Sequence, residues 1–245
     1  EPPPEVRRRY AQARDNLLAA IKRDRFTKKA GKLFGQLSEL PSYLDRATSD
    51  TGNRLNGHYV VQYPKDVGGE VLADFEGCDP LVMLPKERKM CEIITGELQE
   101  GRRVMVFPWH TELMPRLKKL IEAQCKCRVV ILEADKVGSK KREHWIDKNV
   151  VKPGIEVLIV NPVAVQTGLN NLVHFCSVIW YENPGCNPQV RRQAQGRIYR
   201  IGQTKPVRNY TLYYENTAQS LLHELLLYKV GISEAVDGLD PKGSL

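Results

Sequence analysis

The sequence lacks the long apolar runs that mark membrane proteins. Its 245 residues are 42% hydrophobic and 27% charged, a composition typical of soluble globular domains, and no apolar run approaches the ~18 residues of a membrane-spanning helix. The opening Glu1-Pro2-Pro3-Pro4-Glu5 has no apolar stretch of the secretory-signal type. We expect neither a membrane span nor a signal peptide. Because the chain begins without Met, we also expect it to be a segment of a longer protein.

The six cysteines form no recognisable metal or disulfide framework. No two make a Cys-x-x-Cys pair, and Cys125 and Cys127 are too close in sequence for the usual zinc spacing. This pattern favours reduced thiols, no metal site and an intracellular location, in the cytoplasm, nucleoid or nucleus.

Motifs that hold nucleotide phosphates are also missing. The sequence contains no Gly-x-x-x-x-Gly-Lys-Ser/Thr phosphate loop, no Asp-Glu-x-His-type magnesium motif and no Gly-x-Gly-x-x-Gly. It has no internal repeat either. We therefore do not expect the chain to cradle ATP and Mg²⁺ by itself.

Positive charge is in excess and is locally concentrated. The formal net charge is +8, which is consistent with nucleic-acid binding. Between Cys186 and Arg208 there is no acidic residue, which predicts a face for a polyanion; the basic residues there are Arg191, Arg192, Arg197, Arg200, Lys205 and Arg208. Arg197 and Arg200 are three residues apart, so on a helix they would lie one turn from each other. Their guanidinium groups suit phosphate oxygens.

From residue 85 onward, helices alternate with short Val- and Ile-rich strands. This alternation predicts an α/β domain with a parallel sheet covered by helices on both faces. The predicted strands are 103–107, 128–132, 156–160, 177–181 and 207–214. The predicted helices are 86–99, 112–124, 140–149, 189–199 and 218–228. In such sheets functional residues gather in loops at the carboxyl ends of strands.

The first 84 residues have a different pattern. Residues 5–48 read as helical, with a second helix at Lys28–Leu40. Two short strands at Tyr59–Tyr63 and Glu70–Phe75 suggest a hairpin or an insertion. We therefore divide the chain into an amino-terminal helical segment, 1–84, and an α/β domain, 85–245.

The segment Gln193–Arg200 resembles motif VI of superfamily 2 helicases, Gln-x-x-Gly-Arg-x-x-Arg. The Ile-Gly-Gln that follows, ending at Gln203, narrows the resemblance to SWI/SNF-type DNA translocases. The resemblance implies that Arg197 and Arg200 are catalytic arginine fingers, each worth ~10³–10⁵ in rate. It also implies that Gln193 and Gln203 belong to the nucleotide cleft.

The segment Asn161–Leu172 resembles motif V of the same family. The resemblance implies a place for Gly168 in the nucleotide cleft and DNA-backbone contacts for Thr167 and Asn170. The sequence departs from the family at Val165-Gln166-Thr167, where Gly-Gly is usual, and at Asn171, which is an extra residue.

Weaker resemblances add further DNA-binding candidates. The strand and loop at 103–110 resemble motif IV and imply DNA contacts for Trp109 and His110. The helix start before motif V implies contacts for Lys140, Lys141 and Arg142.

Glu182 stands just after a predicted strand and before the motif VI segment. Its carboxylate is either a structural group at the edge of the core or part of the cleft, and the sequence leaves both readings open.

Taken together, the resemblance implies the second RecA-like lobe of an ATP-dependent double-stranded-DNA translocase. Its partners would be double-stranded DNA and the amino-terminal RecA-like lobe of the same polypeptide, which would hold most of the ATP and Mg²⁺. The isolated chain would then not hydrolyse ATP. Two alternatives remain: a catalytically inactive nucleic-acid-binding module with a helicase-like fold, and an unrelated α/β enzyme that uses the glycine loop near Gly168 for a nucleotide.

Overall fold

A computed structural model describes residue 1 and residues 4–23, 58–63, 70–76, 82–166, 169–183 and 187–236. The chain divides into two compact units. One comprises Glu1–Pro85 with Tyr214–Leu221, and the other comprises Lys86–Tyr213 with Leu222–Leu245. The sequence-based boundary between residues 84 and 85 stays a prediction.

The first unit contains a helix and a two-stranded antiparallel sheet. Helix α1 (Pro4–Arg23) contacts strand β2 (Glu70–Glu76), which pairs with β1 (His58–Tyr63). Tyr10, Ala13 and Leu17 form the buried face of α1, at the spacing of a single apolar stripe. The strand pairing agrees with the predicted hairpin, whereas the predicted helix at 28–40 lies outside the described residues.

A five-stranded parallel sheet forms the centre of the second unit. Its strands are β3 (Val104–Phe107), β4 (Val129–Leu132), β5 (Val157–Val160), β6 (Ser177–Trp180) and β7 (Arg208–Thr211). They are arranged in the order β4-β5-β3-β6-β7, and every neighbouring pair is parallel. All residues of β3, β5 and β6 are buried, because a parallel sheet needs a helical layer on each face.

Helices flank this sheet on both faces. They are α2 (Pro85–Gln99), α3 (Met114–Cys125), α4 (Arg142–Ile146, continued by a π turn at Asp147–Val151) and α5 (Pro188–Gly196). Helix α6 (Ala218–Val236) follows β7 in the chain. The side chains of β3 alternate between two cores, with Met105 and Phe107 in one and Val104 and Val106 in the other. The first core includes residues of α4 and α5, and the second includes residues of α2 and α3. The predicted α/β fold, a RecA-like parallel sheet flanked by helices, is confirmed.

The boundary differences that matter most for the site are in α5, β7 and α6. Helix α5 begins at Pro188, where the Asn187 side chain accepts from Gln189 N at 3.0 Å, and it ends at Gly196 rather than at residue 199. Strand β7 is shorter than predicted, and α6 continues to Val236. Among the described residues no helix is long and apolar enough to cross a membrane.

The buried carboxylate of Glu97 links helix α2 to the amino-terminal edge of the sheet. Glu97 of α2 pairs with Arg102 Nε at 2.6 Å and accepts from Arg208 Nη1 at 2.9 Å, from Tyr210 Oη at 2.6 Å and from the Ser177 hydroxyl. Burial by itself would raise the pKa of Glu97, but these hydrogen bonds outweigh it and lower the pKa to about 2. One charge therefore connects α2 to the starts of β3, β6 and β7.

Replacing Glu97 tests this connection. Glu97→Gln leaves Arg102 buried without its counter-ion, so we expect the free energy of unfolding to fall by about 3–5 kcal/mol in urea titrations at pH 7. Because the folded-state pKa lies below the unfolded value of about 4.3, this advantage of the wild type is present above about pH 5 and diminishes as the pH falls towards 2. Glu92→Gln, at an exposed ion pair on the same helix, is the control, and an equal loss there would contradict the account.

Candidate functional site

The loops that follow β3, β5 and β6 meet at the carboxyl edge of the sheet. Asn161, after β5, donates from Nδ2 to the Trp109 carbonyl at 2.7 Å. Glu182, after β6, accepts from the backbone N–H groups of Trp109 and His110 at 2.9 and 2.8 Å. Because these strands are parallel neighbours, their loops meet at one edge of the sheet, and hydrogen bonds there join residues that are distant in sequence.

The Glu182 carboxylate is buried and ionised. Burial alone would raise its pKa, but the hydrogen bond and charge of His110, at 2.7 Å, and the charge of Lys86 outweigh burial and hold the pKa below its usual range. Of the two readings left open by the sequence, the contacts favour a structural carboxylate. Trp109 and His110 are half-buried, and their predicted DNA contacts stay predictions.

The two arginines contact the motif V-like loop, Asn161–Leu172. Arg197 donates from Nε to the Gln166 carbonyl at 3.1 Å, and Nη2 donates to the same oxygen. Arg200 donates from Nη1 to Asn170 Oδ1. The expectation that both arginines lie on one helix is wrong, because α5 ends at Gly196: Arg197 caps the helix and Arg200 lies in the following turns. The fold nevertheless brings both to one loop.

Gln203 is engaged with the backbone. Its Nε2 donates to the Phe175 carbonyl at 2.7 Å and to two further carbonyls at 3.3 Å, and its Oε1 accepts from Lys205 N at 3.1 Å. It therefore holds the turn after the motif VI-like segment. Gln193 is exposed on α5, and Thr167 and Gly168 lie outside the described residues. Cleft roles for Gln193, Gly168 and Gln203 stay predictions.

The start of α4 also contacts the motif V-like loop. Arg142 donates to the carbonyls of Val137 at 3.0 Å, Ala134 at 3.1 Å and Ala164 at 2.9 Å. A phosphate would compete with these acceptors, so a DNA contact by Arg142 remains only a prediction. Lys140 and Lys141, just before it, are exposed.

Most cations of the basic stretch 186–208 have acceptors within the protein, and the expected polyanion face stays a prediction. Of the four with the contacts given next, Arg191 is buried and Arg192 half-buried, whereas Lys205 and Arg208 are exposed. The contacts are Arg191 Nη2 to Thr211 Oγ1 (2.9 Å), Arg192 Nη1 to Ser233 Oγ (2.6 Å), Lys205 Nζ to the Gly101 carbonyl (2.7 Å) and Arg208 to Glu97 (2.9 Å). Arg197 and Arg200 are the pair that contacts the candidate site.

The site is suited to stabilising negative charge. Two permanently charged guanidinium groups next to a loop can donate to phosphate oxygens but cannot accept a proton. Among the described residues there is no group of three His, Cys, Asp or Glu side chains that could hold a metal ion.

Comparison with known proteins identifies the kind of domain. No family model matches the chain. It is 30% identical to Protein CHROMATIN REMODELING 19 of Arabidopsis thaliana over 162 residues, 64% of this chain and 20% of that protein. It is 27% identical to the human lymphoid-specific helicase over 209 residues, 76% of this chain and 24% of that protein.

The fold has a solved counterpart. The crystal structure of the C-terminal part of the Fun30 ATPase domain superposes with a TM-score of 0.53 at 24% identity, covering 61% of this chain and 47% of that one. The chain resembles the C-terminal lobe of a SWI/SNF-type helicase. The chain spans only about a fifth to a quarter of the length of these two relatives. The family resemblance predicted from the sequence is confirmed, whereas the roles of single residues stay predictions.

The sequence analysis missed three residues of the candidate site: Asn161, Glu143 and Gln166. Asn161 carried a usable signal, since Asn-Pro after a strand is a typical cap, and its side chain accepts from Val163 N at 2.9 Å. Glu143 carried none, because its partner lies 27 residues away. Gln166 contributes only its backbone carbonyl, and a pattern of side chains in the sequence cannot predict a contact made by the backbone.

Glu182 provides a test of the cross-linked edge. Glu182→Gln removes the charge that holds His110 and places an amide N–H₂ against backbone donors, so we expect the free energy of unfolding to fall by about 3 kcal/mol. Glu133→Gln, at an exposed ion pair in the loop after β4, should change it by less than about 0.5 kcal/mol. Equal, small effects in urea titrations would show that the carboxylate does not hold the edge together.

Proposed function

We propose that this chain is the second RecA-like lobe of an ATP-dependent double-stranded-DNA translocase of the SWI/SNF type. Arg197 and Arg200 act as arginine fingers on ATP and Mg²⁺ held mainly by the amino-terminal RecA-like lobe of the same polypeptide. The lobe also contacts the DNA backbone. The protein works inside the cell, where its DNA and ATP are, and the chain without the first lobe is inactive.

The observation that supports this proposal most is the contact between the motif VI-like arginines and the motif V-like loop. Two segments about thirty residues apart were each singled out by sequence, and their side chains meet through Arg197–Gln166 and Arg200–Asn170. A loop after β5 and a turn after α5 thus form one unit, and the loop begins at the carboxyl edge of a parallel sheet, where such folds bind ligands.

The electrostatic character of the pair fits the proposed role. Burial lowers the pKa of Arg197 from its high ordinary value, and the charge of Arg200 adds to this; arginine side chains nevertheless keep their charge in proteins. Two like charges held close together are costly unless an anion joins them. A triphosphate provides that anion, and the charge that develops on it during transfer is what a finger stabilises.

DNA contact is assigned to the start of α4 and to the loops next to it. Lys140 and Lys141 are exposed and precede the helix that contacts the motif V-like loop. Thr167, Asn170, Trp109, His110 and Arg142 are the further proposed contacts from the family resemblance. A phosphate bound here would lie next to the loop that the arginines contact.

The finger assignment is tested in the full-length protein. Arg200→Ala should lower DNA-stimulated ATP turnover by roughly 10³-fold or more, while DNA affinity, measured on the same samples, changes by less than about threefold. Arg88→Ala, an exposed arginine of α2, is the matched control and should behave as the wild type.

Other outcomes distinguish the alternatives. Loss of DNA affinity with unchanged turnover would favour a binding module without a catalytic role. Magnesium-dependent hydrolysis by the 245-residue chain alone would overturn the two-lobe scheme.

Charge removal at the start of α4 tests DNA contact. Each phosphate contact contributes about 0.9 to the slope of log K against log salt. The Lys140→Ala, Lys141→Ala double variant of the full-length protein should therefore bind duplex DNA more weakly and lower this slope by about 1–2. The control is Arg88→Ala with Lys89→Ala, an adjacent exposed pair on α2. An equal change in the control would show only a net-charge effect.

A further inference from the structure

The motif V-like loop is hydrogen-bonded to two parts of the fold. The first turn of α4 contacts it near both ends, through Arg142 to the Ala164 carbonyl and through Glu143 to the backbone N–H of Asn170 at 3.1 Å. The two arginines contact it through the Gln166 carbonyl and Asn170 Oδ1. The α4 turn and the arginines therefore share one loop.

Asn170 is the residue on which these contacts converge. Its backbone N–H donates to the Glu143 carboxylate, while its side-chain oxygen accepts from Arg200. The next residue is tied to the same place, because Asn171 Nδ2 donates to the Glu143 carbonyl at 2.8 Å. Glu143 thus holds the main chain of Asn170, and the main chain of Asn170 sets the position of the oxygen that accepts from Arg200.

We propose that Glu143 is a positioning residue for the arginine finger. It touches neither nucleotide nor DNA, and it acts through Asn170 to fix where the Arg200 guanidinium rests before the cleft closes. This inference rests on the proposed function, because it takes Arg200 to be an arginine finger. Glu143 itself lies outside both family-like segments.

The size of the effect follows from geometry. Glu143 and Asn170 are exposed, so water competes with their hydrogen bond and its loss does not unfold the domain. A catalytic group displaced by about 1 Å, however, can lose up to about 10²-fold in rate. A finger acts in the transition state, so misplacing it lowers kcat rather than raising KM.

The position of Glu143 also suggests what it transmits. Lys140 and Lys141, the proposed DNA contacts, lie three and two residues before it in the same short helical stretch. A phosphate bound to these lysines acts on the turn that holds Asn170, and through Asn170 on Arg200. DNA stimulation of turnover is therefore the quantity that should respond to Glu143.

The test compares Glu143→Ala, Glu143→Gln and the control Glu133→Ala in the full-length protein. Glu143→Ala removes the acceptor for Asn170 N–H and should lower DNA-stimulated kcat about three- to tenfold, with KM for ATP and DNA affinity changed less than twofold. Glu143→Gln retains an acceptor oxygen and should restore most of the rate. Glu133→Ala should have no effect.

A double-mutant cycle separates positioning from general loosening of the fold. Asn170→Ala removes the side chain through which Glu143 acts. Adding Glu143→Ala to Asn170→Ala should therefore cost no further rate, whereas independent roles would multiply. Multiplying losses would overturn the proposal.

Hydrogen exchange supplies a readout that does not depend on turnover. Glu143→Ala should speed amide exchange in a peptide covering residues 164–171, and Glu143→Gln should not. Unchanged exchange in both variants would overturn the positioning role even if the ATPase were inactive. If Arg200→Ala abolishes turnover while Glu143→Ala behaves as the wild type, the proposed function stands and the inference about Glu143 fails.

Discussion

Parallel pairing of β3 with β5 and β6 is the constraint on which the rest of the second unit depends. It places the ends of three strands at one edge, so that Trp109 bonds both to Asn161, 52 residues away, and to Glu182, 73 residues away. At the opposite edge Glu97 joins the strand starts. Without this register, neither the motif V-like loop nor the turn after α5 would have a fixed neighbour.

Charged residues have two roles in this unit. Some are paired inside the fold, and two arginines form the candidate site. Glu97 and Glu182 are satisfied inside the fold, and Glu97 also pairs with the exposed Arg208, because an uncompensated charge in the interior costs several kcal/mol. Arg197 and Arg200 instead bond to a backbone carbonyl and an amide oxygen. Neutral acceptors leave their charge uncompensated, which keeps both available to an anion.

Much of the fold was predictable from the sequence because Val- and Ile-rich runs report burial directly, and the two family-like segments located the loops that meet. The sequence could not report how the helix would end: Gly196 closes α5 one residue before Arg197, so the supposed helical pair became a cap and a turn. It also could not report that Arg191 and Arg192 have acceptors on β7 and α6. Residues such as Glu143, whose hydrogen-bond partners are distant in sequence, cannot be predicted from a local sequence pattern.

The most direct measurement is a structure of the full-length protein bound to duplex DNA, Mg²⁺ and a phosphoryl-transfer transition-state analogue, ADP with aluminium fluoride. The account predicts that the guanidinium of Arg197 or Arg200 leaves its contact on the motif V-like loop and lies about 2.7–3.2 Å from a fluoride or phosphate oxygen. If the cleft is closed on the analogue while both arginines still bond to Gln166 and Asn170, the arginine-finger account is contradicted.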